Sequence, residues 1–532
     1  MRKNSFMEGA FIATLGIIIV KVIGLLYVIP FRKIVGVNGG ALYGYAYNIY
    51  QLFLAVSSAG LPFAISKITS EYLALDNAIG VKRTYEISTK VIFYISLAAF
   101  LILFIFAPQI AHLIIGNAEG GNTPSDIAFV IRAVSFAILV VPFLSVTKGF
   151  LQGNKYISPT SISQVIEQVV RIAVILAGSY IALRVLGWDL KYAIGIAVSG
   201  AFFGGLFGYI YLKIKIRKNY LLPKVEDVKD KKLDKEIINK IIKYSIPFIA
   251  ISVIYTLYNT VDMILISRTM GDILHTPGVI VEANVSIFTT WGIKLNSILL
   301  AVTTGITTSL IPNIVDSYVK KDQKAVDDKF NKTLQCLLLF IVPATIFLSM
   351  LAEPVWTLFY GKSVVGPEIY NLFVFGGLLG GFHSVIVNTL QGLNKYKLVI
   401  ISVLTGLLIN TILDVPLMLL MSHLGWQVSY GAIIAAMIGY TIPTVISLII
   451  LNRKYGFSFM DTIKKIPGYA LAWTVFVIVL LVMKQFIPTN LTGQLVQIPV
   501  LAAFGSVSFA IYFVVNYFLG NLKLLKEIRK RD

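Results

Sequence analysis

The sequence predicts an all-α, polytopic membrane protein with fourteen transmembrane helices. Of its 532 residues, 57% are hydrophobic and only 14% are charged, and the mean hydropathy is +0.81. This composition is typical of chains that fold in a lipid bilayer. Apolar runs of about 20 residues, the length at which a helix crosses the hydrocarbon core, recur along the whole chain. Lysine and arginine concentrate in alternate connections between these runs, as expected when basic loops stay in the cytoplasm.

The helix count comes from the apolar runs themselves. We predict spans at residues 6–30, 43–66, 91–115, 127–147, 158–183, 192–212, 244–267, 284–312, 333–360, 369–390, 398–422, 428–451, 466–487 and 495–519. The first run lacks a small-residue cleavage site and is long for a signal peptide. We therefore expect it to remain as a helix of the mature chain.

The distribution of basic residues sets the predicted orientation. Fourteen spans put both termini on one face, and with that face in the cytoplasm 35 of the 46 lysines and arginines fall in cytoplasmic segments. The net charge of +20 is then explained by loops that face an anionic inner leaflet of membrane lipids. We expect cytoplasmic termini and no nucleic-acid partner.

Matching phrases recur in the two parts of the chain. The pairs are "LQGNKY" (151–156) with "LQGLNKY" (390–396), "APQIAHLIIG" (107–116) with "AEPVWTLFYG" (352–361), and "AVSSAGLPFAIS" (55–66) with "AVTTGITTSLIP" (301–312). Their common order and similar offsets indicate two homologous halves. Each half has six helices, an even number, so the halves form a parallel repeat. The predicted domains are an N-terminal half at 1–214, a cytoplasmic basic linker at 215–243, a C-terminal half at 244–452, and helices thirteen and fourteen with a basic tail at 453–532.

Few residues suggest enzymatic chemistry. The single cysteine, Cys336, allows no internal disulfide, and the four histidines are scattered. No HExxH, P-loop or GxSxG motif occurs. We expect a protein that is not an enzyme and has no cofactor, although an active site built from dispersed residues stays an alternative.

Basic residues inside the predicted spans are candidate substrate-binding groups. An ionised side chain at a helix centre costs about 2.5–3.5 kcal/mol, so it should face a wet cavity or a partner. Lys21 and Arg32 are eleven residues apart, on one face of the first helix, and Lys294 lies in the eighth. A cationic cavity between the halves would suit a pyrophosphate. Alternatively, Lys21 snorkels to an interface or pairs internally, and Arg32 sits at the outer end of its helix.

Other charged residues fit structural roles or an ion site. Glu167 and Arg171, at i and i+4, predict an ion pair within the fifth helix. Arg132 lacks a local partner; it either joins a network with Glu167 or lines the cavity. Asp262 and the pair Asn410 and Asp414 supply hard oxygen ligands for a sodium ion or a proton. Carboxylates that are protonated, or neutralised by lysines of the cavity, are the alternative.

The segments "EGAFIATLGIIIVKVIGLLYVIPFRKIVG" (8–36) and "GFLQGNKYISPTSISQVIEQVVRI" (149–172), with the six-plus-six-plus-two plan, resemble the multidrug/oligosaccharidyl-lipid/polysaccharide exporter superfamily. The chain is most similar to the MurJ-type lipid II flippases of Gram-positive bacteria and their sporulation-protein-B-like relatives. This resemblance implies a monomeric flippase of a bacterial cytoplasmic membrane that moves lipid II, or a related undecaprenyl-pyrophosphate glycan, to the outer leaflet by alternating access. Cell-wall synthesis enzymes are the implied protein partners.

The resemblance also implies roles for individual residues. Lys21 and Lys294 match basic cavity positions of similar flippases and are expected to contact the pyrophosphate. Tyr27 and Gln51 fall where Gram-negative members carry arginines, so Gln51 is a further candidate contact. The spacing of Asn410 and Asp414 matches a sodium-site pattern.

Three alternative functions remain open from the sequence. The first is flipping of another polyprenyl glycan, such as a spore-cortex, teichoic or capsular precursor. The second is cation-coupled multidrug export, which needs an anionic, aromatic cavity and is disfavoured by the two lysines. The third is a non-transporting scaffold or membrane enzyme.

Overall fold

The computed structural model of this protein is built almost wholly from α-helices. It describes residues 16, 19–116, 120–219, 221–222, 230–486 and 493–525. Within those residues there is no β-strand, and thirteen helical segments are long and apolar enough to cross a membrane. The predicted class, an all-α multi-pass membrane protein, is confirmed. The first predicted span, 6–30, lies partly outside the described residues, which include only 16 and 19–30 of it.

The helices form two compact units, Met1–Trp291 and Gly292–Asp532. The described helices of the first unit are α1 (19–26), α2 (Val28–Ser58), α3 (Leu61–Ala74), α4 (Ala78–Ile105), α5 (Ala107–Ile115), α6 (Pro124–Ser135), α7 (Val141–Gly153), α8 (Ile157–Ala173), α9 (Leu190–Lys218), α10 (Lys231–Arg268) and α11 (Gly278–Ser286). Short 3₁₀ or π-helical turns follow some of them, at Phe136–Leu139, Val174–Gly178, Ile181–Val185, Thr269–Ile273 and Ile287–Trp291.

The second unit is also helical. Its described helices are α12 (Gly292–Val319), α13 (Gln323–Met350), α14 (Ala352–Tyr360), α15 (Val365–Gly392), α16 (Tyr396–His423), α17 (Ser429–Tyr455), α18 (Met460–Lys484) and α19 (Gln497–Phe518). From α12 to α19, each predicted span has a helical counterpart, and most of these helices extend past the apolar run by several residues at one or both ends. The predicted domain boundaries rest on sequence repeats rather than on compactness, and they stay predictions.

Glycines interrupt the helices near the start of the first unit. Within α2, Gly36 has φ 68° and ψ −163°, a conformation that only glycine adopts without strain, so the chain bends sharply between two helical stretches. Gly60, with φ 77°, separates α2 from α3. This break falls within the predicted span at 43–66, where the Gly-Leu-Pro sequence is a recognisable break signal.

The second part of the predicted basic linker is helical. Residues 231–243 form the first turns of α10, and the Asp230 side chain caps them by accepting two backbone N–H groups. These turns pack on the first unit through ion pairs: Arg83 of α4 binds Asp234, and Lys240 lies 3.3 Å from Glu71 of α3. Hydropathy does not predict helix at residues 231–243, because polar contacts stabilise these turns of α10.

The repeated phrase at 151–156 and 390–396 forms the same corner in both units. In each, the sixth residue donates its backbone N–H to the carbonyl oxygen of the first, at 2.9 Å in 151–156 and 2.8 Å in 390–395. The fifth residue, Lys155 or Asn394, is left-handed, with φ of 64° and 58°. The corner therefore joins α7 to α8 and α15 to α16 with one geometry, that of a helix C-terminal cap.

Two further local structures recur at a constant offset of 245 residues. Asp76 and Lys321 are both left-handed, with φ of 50° and 58°. Asn77 and Asp322, which follow them, cap α4 and α13 by accepting a backbone N–H three residues ahead. The nine-residue helices α5 and α14 end at glycines with positive φ in both units. These parallels support a duplicated chain, because unrelated segments would not share caps, lengths and corner geometry in the same order.

The corner glycines are packed against backbone or branched side chains. A Cβ on Gly153 would lie 2.6 Å from the Ser66 carbonyl oxygen and 2.7 Å from Thr69 Cβ; one on Gly392 would lie 2.7 Å from Val315 Cγ2. Thr69 and Val315 again differ by about the same offset as the repeat. The corners therefore pack on matching helices, α3 and α12, within their own units.

We expect Gly153→Ala to destabilise the chain by about 1–3 kcal/mol, because the added methyl overlaps a backbone carbonyl that has no room to retreat. The measurement is the thermal unfolding midpoint of the purified protein in detergent. Gly376→Ala in α15 is the matched control, because its Cβ would meet nothing within 4 Å. That control should keep or raise the midpoint, since alanine is the better helix former. Equal midpoints for the two variants would contradict the packing.

Candidate functional site

The candidate cations at the start of the chain lie on α1 and α2 of the first unit. Lys21 is half-buried on α1. Helix α1 contacts α8 at Gly24, where a Cβ would lie 3.0 Å from Gln168 Nε2. Arg32 of α2 is also half-buried, and its guanidinium carbon lies 5.1 Å from the centre of the Trp291 ring. This is a cation–π contact, so Arg32 has a protein neighbour of its own.

Trp291 fixes the geometry around Arg32. Its indole is fully buried and packs against α2, where a Cβ on Gly40 would lie 2.2 Å from the ring. Phe31 also contacts this ring, with centroids 6.1 Å apart. Gly40 is therefore needed for the close approach of the tryptophan, whose ring is the cation–π neighbour of Arg32.

An aromatic ladder continues along α2 from this point, and sequence reasoning missed it. Its members are Phe31, Tyr43, Tyr47 and Tyr50, with neighbouring ring centroids 5.3, 5.3 and 5.5 Å apart. The signal in the sequence is "YGYAYNIY", in which tyrosines recur at helical spacing. Gln51, the predicted contact that follows the ladder, is half-buried, while Tyr27 is buried against Phe31.

A cluster of three charges lies beside the ladder. Glu167 Oε1 is 2.6 Å from Arg171 Nη2, and Glu167 Oε2 is 3.0 Å from Lys148 Nζ. Arg171 Nη1 donates to the Tyr47 hydroxyl at 3.4 Å. Their side chains are only 14–18% exposed, so this salt-bridge cluster joins α7, α8 and α2 inside the unit and carries one excess positive charge. The sequence suggested the Glu167 and Arg171 pair, but it gave no sign that Lys148, just past an apolar run, belongs to it.

Arg132 lies elsewhere in the same unit. The residue is exposed, its Nε donates to the Phe104 carbonyl oxygen at 3.2 Å, and its guanidinium carbon lies 5.6 Å from the Phe104 ring centre. The Glu167 carboxylate is bonded to Lys148 and Arg171 instead. An Arg132 role in substrate binding stays a prediction.

The remaining candidates divide between the units. Asp262 is buried on α10 of the first unit. Lys294 is half-buried on α12 of the second unit, where its carbonyl oxygen accepts the Ser297 hydroxyl at 2.5 Å.

Asn410 and Asp414 form a fully buried polar pair on α16. Asn410 Nδ2 donates to Asp414 Oδ2 at 3.4 Å, and both residues have 0% exposure. Helix α17 approaches closely, since a Cβ on Gly439 would lie 2.9 Å from the Gly406 carbonyl oxygen and 3.2 Å from Asn410 Cβ. A carboxylate and an amide deep in an apolar helix pair are the groups that hold a hard cation or a proton.

Comparisons with known proteins agree with this architecture. Residues 6–317 match the family described as polysaccharide biosynthesis protein. The chain is 31% identical to the lipid II flippase MurJ of Bacillus subtilis (strain 168), over 98% of this chain and 96% of that protein. It is 24% identical to stage V sporulation protein B of the same organism, over 90% and 88% of the two chains. A solved structure of lipid II flippase MurJ in an inward closed conformation shares the fold, with a TM-score of 0.70 at 15% identity over 96% of this chain and 99% of that chain.

Proposed function

We propose, since this chain belongs to the MurJ family of lipid II flippases, that it carries lipid II from the inner to the outer leaflet of a bacterial cytoplasmic membrane by alternating access. The observation that carries the proposal is 31% identity maintained over nearly the full length of both chains. A match of that extent includes the helices that hold Lys21, Lys294, Asp262, Asn410 and Asp414. The lower identity to the sporulation protein gives another lipid-linked glycan less support.

The charges of the chain suit this cargo. Lipid II joins an apolar polyprenyl tail to a pyrophosphate and a polar head, so its carrier needs cations for the pyrophosphate. We assign this contact to Lys21 and Lys294, with Arg32 and Gln51 as further candidates. The excess positive charge of the salt-bridge cluster adds to the attraction for an anion. Organic cations, the cargo of drug exporters, would be repelled by the same residues.

Depletion in the native cell tests the substrate. The lipid-linked precursors that accumulate are extracted and identified by mass spectrometry, with inner-leaflet location tested by resistance to an external enzyme that cleaves lipid II. We expect lipid II to accumulate inside and to return to the outer leaflet when the gene is restored. Accumulation of a different polyprenyl glycan, with lipid II unchanged, would overturn the assignment. If the cell has a second flippase, that protein could hide the effect of depletion, so its gene is deleted in the same strain.

Topology is the second part of the proposal. Both termini lie in the cytoplasm, which the distribution of lysine and arginine supports. A green fluorescent protein fused after the C-terminus should fluoresce, and an alkaline phosphatase fused there should stay inactive. The opposite pair of results would reverse the assigned orientation. We also infer that the chain works as a monomer beside cell-wall synthesis enzymes.

Ion coupling can be tested at the buried polar pair of α16. We propose that Asn410 and Asp414 of α16 take part in binding a sodium ion or a proton that resets the carrier, and we keep Asp262 of α10 as a separate candidate for ion binding. Sodium should raise the thermal unfolding midpoint of the wild type relative to choline, because a ligand of the native state stabilises it. Asp414→Asn should remove this shift, while Asp316→Asn, at an exposed carboxylate of α12, should keep it. A midpoint that depends on pH and not on sodium would assign the proton, and dependence on neither would contradict coupling at this pair.

A further inference from the structure

The first unit contains a buried acidic residue for which the flippase function gives no role. Glu282, on α11, is 2% exposed. Its Oε1 atom accepts the backbone N–H of Asn122, which lies in the connection before α6. Its Oε2 atom is buried and accepts no hydrogen bond from any described protein group. The residue therefore holds one satisfied oxygen and one unsatisfied oxygen away from bulk water.

The carboxyl group lines a small cavity. Tyr45, Gly121, Asn122 and Ser267 contribute to its wall. Gly121 is packed so tightly that a Cβ there would lie 2.5 Å from Glu282 Oε1. Tyr45 and Ser267 are each 1% exposed, and the Ser267 hydroxyl already donates to the Met263 carbonyl oxygen at 2.9 Å. The site offers hydroxyl groups and one backbone donor, and its form is suited to a single small ligand.

The charged groups around the cavity do not neutralise Glu282. Lys191 of α9 lies 3.3 Å from Asp126 of α6, and Arg268 at the end of α10 lies 2.7 Å from Asp272. Arg268 also donates to two carbonyl oxygens at the end of α5. The remaining titratable neighbour is Tyr45 of α2, which brings no positive charge at neutral pH. Among the described residues, Glu282 thus forms no ion pair.

These observations favour a proton over a metal ion as the ligand of Glu282. A hard cation needs about six oxygen ligands and, in proteins, commonly more than one carboxylate. A single carboxylate with two hydroxyls falls short of that set. An ionised carboxylate without a partner cation is costly in a dry site, and binding a proton removes that cost.

We propose that Glu282 is a proton-binding site whose protonation state sets the strength of the link between α11 and the connection before α6. The ionised carboxylate accepts the Asn122 N–H as a charge-assisted hydrogen bond, which is about twice as strong as a neutral one. Asn122 in turn donates from Nδ2 to the Asn38 carbonyl oxygen of α2 at 3.0 Å. Uptake of a proton weakens the first bond and loosens α2 at Asn38, two residues after the bend at Gly36. In the proposed topology this bend faces the cell exterior.

Infrared spectroscopy of the purified full-length protein tests the proton directly. The carbonyl stretch of a protonated carboxyl group is recorded at neutral and alkaline pH for the wild type, Glu282→Gln and Glu353→Gln. Glu353 is the control, an exposed carboxylate on α14. We expect a carboxyl band at neutral pH that Glu282→Gln lacks and Glu353→Gln keeps. Identical spectra for the wild type and Glu282→Gln would overturn the proposal.

A second variant distinguishes loss of the carboxyl group from a folding defect. Glu282→Asp keeps an acid in the cavity with a shorter side chain, so the band should move in position rather than vanish. An unmoved band would contradict the assignment to this residue. The readout needs no transport, so its failure is distinct from a failure of the flippase proposal.

Discussion

Lys21→Ala and Lys294→Ala are each expected to lower the rate of lipid II translocation by at least about tenfold. A charge-assisted hydrogen bond to a pyrophosphate contributes about 1.5–3 kcal/mol, and a loss of 1.4 kcal/mol is a factor of ten. The two residues belong to different units, α1 in the first and α12 in the second, and both are half-buried in apolar helices. Lysine at such positions is costly unless it serves a charged ligand or a partner.

The measurement is complementation of a depleted strain, followed by translocation assays on variants that reach the membrane at wild-type amounts. Lys320→Ala is the matched control, because that side chain is 69% exposed at the end of α12 and pairs with Asp316. It should leave translocation unchanged. If all three variants complement equally, the lysines hold structure alone and the assignment of the pyrophosphate contact is wrong.

Glu167→Ala is expected to lower the free energy of unfolding by about 3 kcal/mol. The substitution leaves Lys148 and Arg171 buried beside each other without their shared carboxylate, and breaking a buried ion pair costs about 3–5 kcal/mol. We place the effect at the low end of that range because the three side chains keep 14–18% exposure. Thermal and denaturant unfolding in detergent measure the change.

The chain itself supplies an exposed pair of the same spacing for comparison. Asp316 and Lys320 lie 2.8 Å apart at i and i+4, with side chains 57% and 69% exposed. Asp316→Ala should cost less than about 1 kcal/mol, as surface pairs do. Equal losses for the two substitutions would show that the cluster is solvated. Replacing Lys148, Glu167 and Arg171 together by apolar residues of similar volume should recover most of the stability.

The sequence predicts the helices of this fold well because the bilayer constrains them. Each apolar run must satisfy its backbone internally, so its period and length identify it as a helix. Helix ends were less predictable. The start of α10 depends on Asp234 meeting Arg83, a contact between residues far apart in sequence. The break at Gly60, by contrast, had a local signal in the following Leu-Pro sequence.

The site residues were predictable to the extent that they are charged and lie within apolar runs. Lys21, Glu167, Arg171 and Lys294 are conspicuous on that ground. Lys148 and Glu282 are not, because each lies just beyond a predicted span, where charges are ordinary. Their importance comes from burial, which only the packing of neighbouring helices decides. The aromatic ladder of α2 has a periodic signal, but it is hard to distinguish from ordinary core packing.

Translocation by the purified chain tests the central claim most directly. The wild type and the double variant Lys21→Ala/Lys294→Ala are reconstituted in vesicles with fluorescent lipid II in both leaflets, and a membrane-impermeant quencher reports the lipid in the outer leaflet as it changes with time. We predict that the wild type equilibrates lipid II between leaflets and that the double variant behaves like protein-free vesicles. A wild type that leaves lipid II in place while it moves another polyprenyl-pyrophosphate glycan would contradict the assigned substrate. Equal rates for the wild type and the double variant would contradict the assigned residues.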